Sequence, residues 1–182
     1  MMLSPRAEFP LARQLRTPGG APLGDVFAFL SGLYFRGKLA YARAFAGDEA
    51  GVLVITPHAG LRPAATPVTG DDLRAAARVD INLGNRTYRE ALEASATQLA
   101  AALGPAARVV LLGSIASDKY VSILGGVFGA RLLFPVDFVG RGDMSRGGLL
   151  LRCVREGRPL EYVPVLGATR HGARPPRLTR LR

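Results

Sequence analysis

The sequence predicts an α/β fold: a single three-layer sandwich with a largely parallel central sheet and a C-terminal β-hairpin. Three observations carry that expectation. Apolar runs at residues 52–56, 108–113 and 131–135 read as short buried strands. Segments with helical periodicity stand between them, and such alternation favours parallel strands covered by helices. The chain has 182 residues, 48% of them apolar, which is enough for one core and short for two.

Taken in order, residues 1–22 are punctuated by prolines and paired glycines and read as an irregular arm. Residues 23–166 read as one α/β domain. Val26, Phe29, Leu30, Leu33, Tyr41 and Phe45 recur at helical spacing, with Gly32 and Gly37 weakening the segment enough to kink or divide it. The β-branched run 51–57 ends at Pro57. Thr69 and Asp72 have the spacing of an N-cap with an acid at N3, predicting a helix over 70–78. Thr87 and Glu90 repeat the spacing before a stronger helix that stops at Gly104–Pro105. Ser117 is placed to cap a helix running to residue 129. The apolar runs 149–154 and 159–165, joined by residues 155–158, read as the hairpin. Residues 167–182 read as a basic, flexible tail.

Composition narrows the chemistry. Cys153 is the only cysteine and His58 and His171 the only histidines, so neither a disulfide framework nor an imidazole-rich metal site is expected. The N-terminal residues contain no apolar core of a secretory signal, and no apolar run reaches bilayer-spanning length. A cytoplasmic protein without metal or cofactor is the expectation. The net charge of +10 is concentrated late, with ten arginines against three acids over 141–182. Such an excess attracts polyanions. Arginine supplies all but two of the 24 basic residues, a bias that GC-rich coding also produces.

In open parallel sheets, ligands sit beyond the carboxyl ends of the strands. That rule selects three loops. Residues 55–63 place His58 just after a strand, suited to proton transfer near neutral pH. Residues 113–120 offer Ser114, Lys119 and Tyr120 beside a helix start, suited to an anion. Residues 139–148 hold Arg141 and Arg146 for bidentate anion contacts, Ser145 as a donor, and Asp143 as a base toward water or a hydroxyl. Residues 31–38 interleave Tyr34, Phe35, Arg36 and Lys38, a pattern that can stack a base and neutralise a phosphate. Each loop also has an ordinary reading as a cap, a solvated face or a turn. Asp143 within an RGD tripeptide carries no adhesion argument, because the chain shows no secretion signal.

The order of these motifs resembles a group of uncharacterised bacterial domains related to the peroxide-stress protein family. Leu33, Tyr34, Phe35 and Arg36 approximate the first shared element. Ile55, Thr56, Gly60, Leu61 and Pro63 match the second, and Tyr120 the third. The likeness covers residues 31–125; Thr56-Pro57-His58 and residues 139–153 depart from it. It implies DNA protection or chemistry on a nucleobase. The resulting expectation is a nucleotide- or nucleic-acid-binding protein, with DNA among the partners, acting as a hydrolase or transferase on a base or its N-glycosidic bond. The alternatives are a non-catalytic stress-response module and an enzyme for a phosphorylated metabolite. His58 and Asp143 are the expected catalytic groups; Arg36, Ser114, Lys119, Tyr120, Arg141, Ser145 and Arg146 are the expected ligand contacts.

Overall fold

The computed structural model describes residues 2–176 and 178. In chain order the elements are α1 (Pro10–Leu15), β1 (Ala21–Pro22), α2 (Leu23–Leu30), α3 (Gly32–Phe45), β2 (Leu53–Thr56), β3 (Gly60–Pro63), β4 (Pro67–Val68), α4 (Gly70–Ala76), α5 (Arg86–Ala102), β5 (Val109–Val110), α6 (Asp118–Phe128), β6 (Leu132–Pro135), α7 (Asp143–Glu156) and β7 (Tyr162–Pro164). Helix and strand are mixed, as expected of an α/β chain. The strands do not form one largely parallel sheet among the described residues. They divide into antiparallel pairs β1–β4 and β2–β3 and a three-stranded sheet ordered β5–β6–β7. Only β5 with β6 is parallel; β6 and β7 are antiparallel.

The largest departure lies at residues 143–156, where the expected ligand loop and first hairpin strand are one helix. An apolar run of six residues does not by itself distinguish strand from helix. The buried positions settle it: Arg146, Gly147, Leu149, Leu150 and Cys153 recur at helical spacing along α7. β7 therefore pairs with β6 instead of with a hairpin partner. Cys153 is core, as its apolar neighbours suggest, though it sits on a helix.

Elsewhere local signals and structure agree closely. The segment after Asp25 is divided into α2 and α3 at Ser31–Gly32. Thr69 and Asp72 form a reciprocal capping box at the start of α4. α5 is capped by Asn85, whose side chain accepts from the Tyr88 N–H, two residues earlier than the expected Thr87. The segment expected as an irregular arm contains α1 and buries Met2, Ala12 and Leu15, with β1 pairing to β4. No helix among the described residues is long and apolar enough to cross a membrane.

Two packing units matter for the site. Tyr88, Leu92 and Ala96 of α5 meet Val121, Leu124 and Phe128 of α6 over Leu132 and Phe134 of β6. Tyr41 of α3 meets Leu149, Leu150 and Cys153 of α7 beside Phe138. In the second unit the two helices cross with almost no side chain between them. A Cβ at Gly37 would lie 2.8 Å from the Gly147 carbonyl oxygen, and one at Gly147 would lie 2.9 Å from the Tyr34 Cα. Glycine at both positions is what lets the backbones approach this closely. The approach brings the first half of α3 alongside the first turns of α7.

The basic C-terminal segment is partly docked. Arg170 forms an ion pair with Asp118, at the start of α6. A Cβ at Gly140 would lie 2.1 Å from the Ala173 carbonyl oxygen, and Leu178 packs onto the Tyr41–Phe138 cluster. The expected flexible tail also includes residues 177 and 179–182, which lie outside the described residues.

Candidate functional site

The α3–α7 crossing gathers Tyr34, Lys38, Tyr120, Asp143 and Arg146 from three parts of the chain. Tyr34 and Lys38 are one helical turn apart and share a face of α3. The Lys38 Nζ lies 4.4 Å from the Tyr34 ring centroid and 5.2 Å from that of Phe35. The Arg146 guanidinium carbon lies 6.0 Å from the same Tyr34 ring and 5.6 Å from Phe138. Two cations thus lie against one aromatic ring, an arrangement favoured by the ring quadrupole.

Arg146 is buried, 9% exposed, and its hydrogen bonds explain how it stays charged there. Its Nε and Nη2 donate to the Phe138 carbonyl oxygen at 3.2 and 3.0 Å. Its Nη1 reaches Asp143 Oδ1 at 3.4 Å. Asp143 itself stands in the first turn of α7 with 70% of its side chain exposed. It is the one carboxylate, among the described residues, whose charge acts on Lys38 and on the Tyr34 and Tyr120 phenols.

The electrostatics follow from burial. Desolvation lowers the Lys38 ammonium below its ordinary value; Asp143 works against that shift and Arg146 adds to it. Desolvation raises the Tyr34 phenol well above its ordinary value, partly offset by Arg146. The Tyr120 phenol is raised for the same reason and partly returned by its hydrogen bond to Ser114. Both phenols are tied to the segment after β5: Tyr34 Oη donates to the Leu112 carbonyl at 3.0 Å, and Tyr120 Oη to the Ser114 carbonyl at 2.9 Å.

The other expected contacts are placed as follows. Arg141 donates from Nε to the Asp137 carbonyl at 2.9 Å and reaches Ser145 Oγ at 3.4 Å, so the two serve the turn into α7. Ser114 Oγ accepts from the Ala116 N–H at 3.3 Å, within its own loop. Lys119 is exposed, and its carbonyl accepts from Tyr88 Oη at 3.0 Å. Arg36 is exposed on α3, two residues from Tyr34 and so off the face that meets α7.

His58 is not with them. It sits in the turn of the β2–β3 hairpin, which packs on α5 through a Leu61 N–H bond to Ser95 Oγ. It lines a separate cavity of about 230 Å³ with Thr56, Arg62, Asp72, Leu23 and Phe27. None of the residues lining that cavity belongs to 113–120 or 139–148. The rule that put His58 beside the other loops presumed one parallel sheet, and β2 belongs to an antiparallel pair instead. His58 and Asp143 stand on different elements, the β2–β3 turn and the start of α7, and Asp143 does not line the cavity that His58 lines.

The chain matches no family model, no curated protein and no solved structure. The site's chemistry rests on its own geometry. Among the described residues no group of three or more His, Cys, Asp or Glu side chains is arranged to hold a metal. What the crossing offers is two adjacent cations, one exposed carboxylate, an aromatic face and the first turn of a 14-residue helix with no side-chain cap. Tyr34 and Lys38 were legible only as members of the aromatic and basic segment 31–38, in which Arg36 was the expected anion contact. Their convergence with Arg146, over a hundred residues later, was not legible.

Proposed function

We propose that this protein binds a phosphate-bearing nucleotide or nucleic-acid strand at the α3–α7 crossing and acts on the N-glycosidic bond. The observation that carries the reading is that Lys38 and buried Arg146 both lie against the Tyr34 ring, opposed by Asp143 alone. Partly desolvated positive charge attracts an anion more strongly than charge in open water. The start of α7 adds the positive end of a helix dipole. Tyr34 and Phe35 provide ring faces of the kind on which bases stack. Asp143 is the exposed carboxylate suited to polarise water toward a sugar carbon. The exposed Arg155, Arg158 and Arg174 add positive charge that favours a polymer backbone, and the motif order that resembles the peroxide-stress-related domains supports a nucleic-acid ligand. The free, buried Cys153 is compatible with a cytoplasmic location.

The test is fluorescence anisotropy with a labelled single-stranded oligonucleotide, repeated with a nucleoside monophosphate as competitor. Removing residues 167–182 would disturb Leu178 and the Arg170–Asp118 pair, so the track is better probed by neutralising Arg155, Arg158 and Arg174, all exposed. If those arginines contact phosphates, their triple glutamine variant lowers the slope of log affinity against log salt by about 2. Lys38→Gln weakens both oligonucleotide and monophosphate. Binding that ignores salt, or a monophosphate that does not compete, refutes the reading.

A further inference from the structure

We propose that the cavity lined by His58 is a second binding site, which takes a small apolar α-amino acid. It lies between the β2–β3 hairpin, α2 and α4, and shares no charged group with the α3–α7 crossing. Leu61 turns into the α5–α6 core, so its neighbour Arg62 faces the opposite side of the hairpin, where α2 and α4 close the space. The volume of about 230 Å³ equals the share of about eight waters at about 30 Å³ each. That is less than a pocket for a drug-sized ligand and suits a compact metabolite.

Three polar groups on the cavity wall are left wanting partners. His58 Nδ1 is shut off from solvent and has no hydrogen-bond partner among the described residues. Arg62 is exposed and makes no hydrogen bond or ion pair among them. Asp72 receives the Thr69 N–H and the Thr69 hydroxyl on Oδ2, at 2.7 and 2.8 Å, which leaves Oδ1 open. Those bonds hold its carboxyl below the ordinary value, and His58 acts in the same direction, so Asp72 is ionised near neutral pH. Arg62 and Asp72 thus line one cavity, yet no ion pair joins them. Opposite charges kept apart in one space suit a ligand that carries both. A carboxylate matches the Arg62 fork, and an ammonium matches Asp72 Oδ1. The imidazole turns on a soft Cβ–Cγ torsion, so Nδ1 can accept from that ammonium or, when protonated, donate to the carboxylate. Either contact removes the cost of an unpaired buried atom. Leu23, Phe27 and Leu73 make the remaining wall apolar, which fits an aliphatic side chain on the same α-carbon.

His58 and His171 are the only histidines in the chain, so the exposed His171 is an internal control. The isotope-labelled full-length protein is titrated with L-leucine to about 10 mM, a range suited to a ligand of roughly nine non-hydrogen atoms, and the imidazole nitrogens are followed by NMR. Leucine should shift the His58 signals saturably and leave those of His171 in place. Isocaproate, which lacks the ammonium, and isoamylamine, which lacks the carboxylate, should each bind at least about tenfold more weakly. Glycine, which lacks the side chain, should also lose at least about tenfold. Arg62→Gln should weaken leucine by at least about tenfold without weakening isoamylamine, and Asp72→Asn should do so without weakening isocaproate. His58 signals that ignore leucine, or that move no more than those of His171, overturn the site. Isocaproate or isoamylamine binding as tightly as leucine overturns the two-charge ligand, and glycine doing so overturns the role of the apolar wall. None of these results touches Lys38 or Arg146, so oligonucleotide binding at the crossing stands or falls separately.

Discussion

The Gly37–Gly147 crossing holds the site together, and replacing Gly147 by alanine tests it quantitatively. The new Cβ would sit 2.9 Å from the Tyr34 Cα and 3.0 Å from the Leu33 carbonyl oxygen, where ordinary contacts begin at 3.4 Å. Both neighbours are backbone, so neither can rotate away. The helices must separate by roughly 0.5 Å, and a gap of that size already forfeits about a quarter of each dispersion contact across it. Tyr41, Leu149, Leu150 and Cys153 all lie along the same interface. Overpacking of this kind costs about 1–3 kcal/mol. Alanine returns about 1 kcal/mol of helix propensity, leaving a net loss of up to about 2 kcal/mol. Gly125 supplies the control: it lies within α6, and a Cβ there meets nothing within 4 Å. Gly125→Ala should therefore stabilise the protein by up to about 1 kcal/mol. In urea unfolding, with a slope of about 2 kcal/mol per molar, the midpoint falls by up to about 1 M for Gly147→Ala. The midpoint rises for Gly125→Ala. If Gly147→Ala is stabilised as much as Gly125→Ala, no overpacking cost exists and the close crossing is wrong.

Two further outcomes follow from the same structure. All five tyrosines have phenols raised above the ordinary 10.0, chiefly by burial, Tyr88 to about 12. The native state then holds protons that the unfolded chain releases, so this stability is intact below pH 10.0 and is lost as pH rises toward the folded values. Tyrosinate absorbance and loss of helical circular dichroism should appear as one transition; phenols that ionise near pH 10.0 with the helices intact would refute it. Thr69→Ala removes the capping box of α4 and should cost about 1 kcal/mol by thermal unfolding. Because hydrogen bonds from Thr69 lower the Asp72 carboxyl below 3.8, the wild-type advantage should shrink as pH falls through its folded value. A difference unchanged by acid would mean that Asp72 takes no part in the cap.

Local chemistry within one turn of chain was legible at several points, although the caps expected of Thr87 and Ser117 are not made by those side chains. The Thr69–Asp72 spacing marked α4, Gly32 marked the break between α2 and α3, and the β-branched run before Pro57 marked β2. Each signal depends on hydrogen bonds or sterics between residues a few positions apart, and no distant partner alters it. Residues 143–156 were misread because glycine pairs suggest a connection and six apolar residues suggest a strand. In the fold those glycines serve contact: Gly147 is small because α3 lies against it.

The site divides in the same way. Arg146 and Asp143 were marked from their residue types, and Tyr120 from its motif, yet nothing local distinguished Lys38 from Arg36. The face of α3 that meets α7 makes that distinction, by half-burying Tyr34 and Lys38 while leaving Arg36 in solvent. His58 shows the converse. Its position after a strand was read correctly from the chain, but strand pairing carried it to another cavity. The sequence by itself determined which residues cap, turn and carry charge, because those properties belong to side chains and near neighbours. Which charges share one desolvated space was decided only by the tertiary structure, through a backbone contact between glycines 110 positions apart.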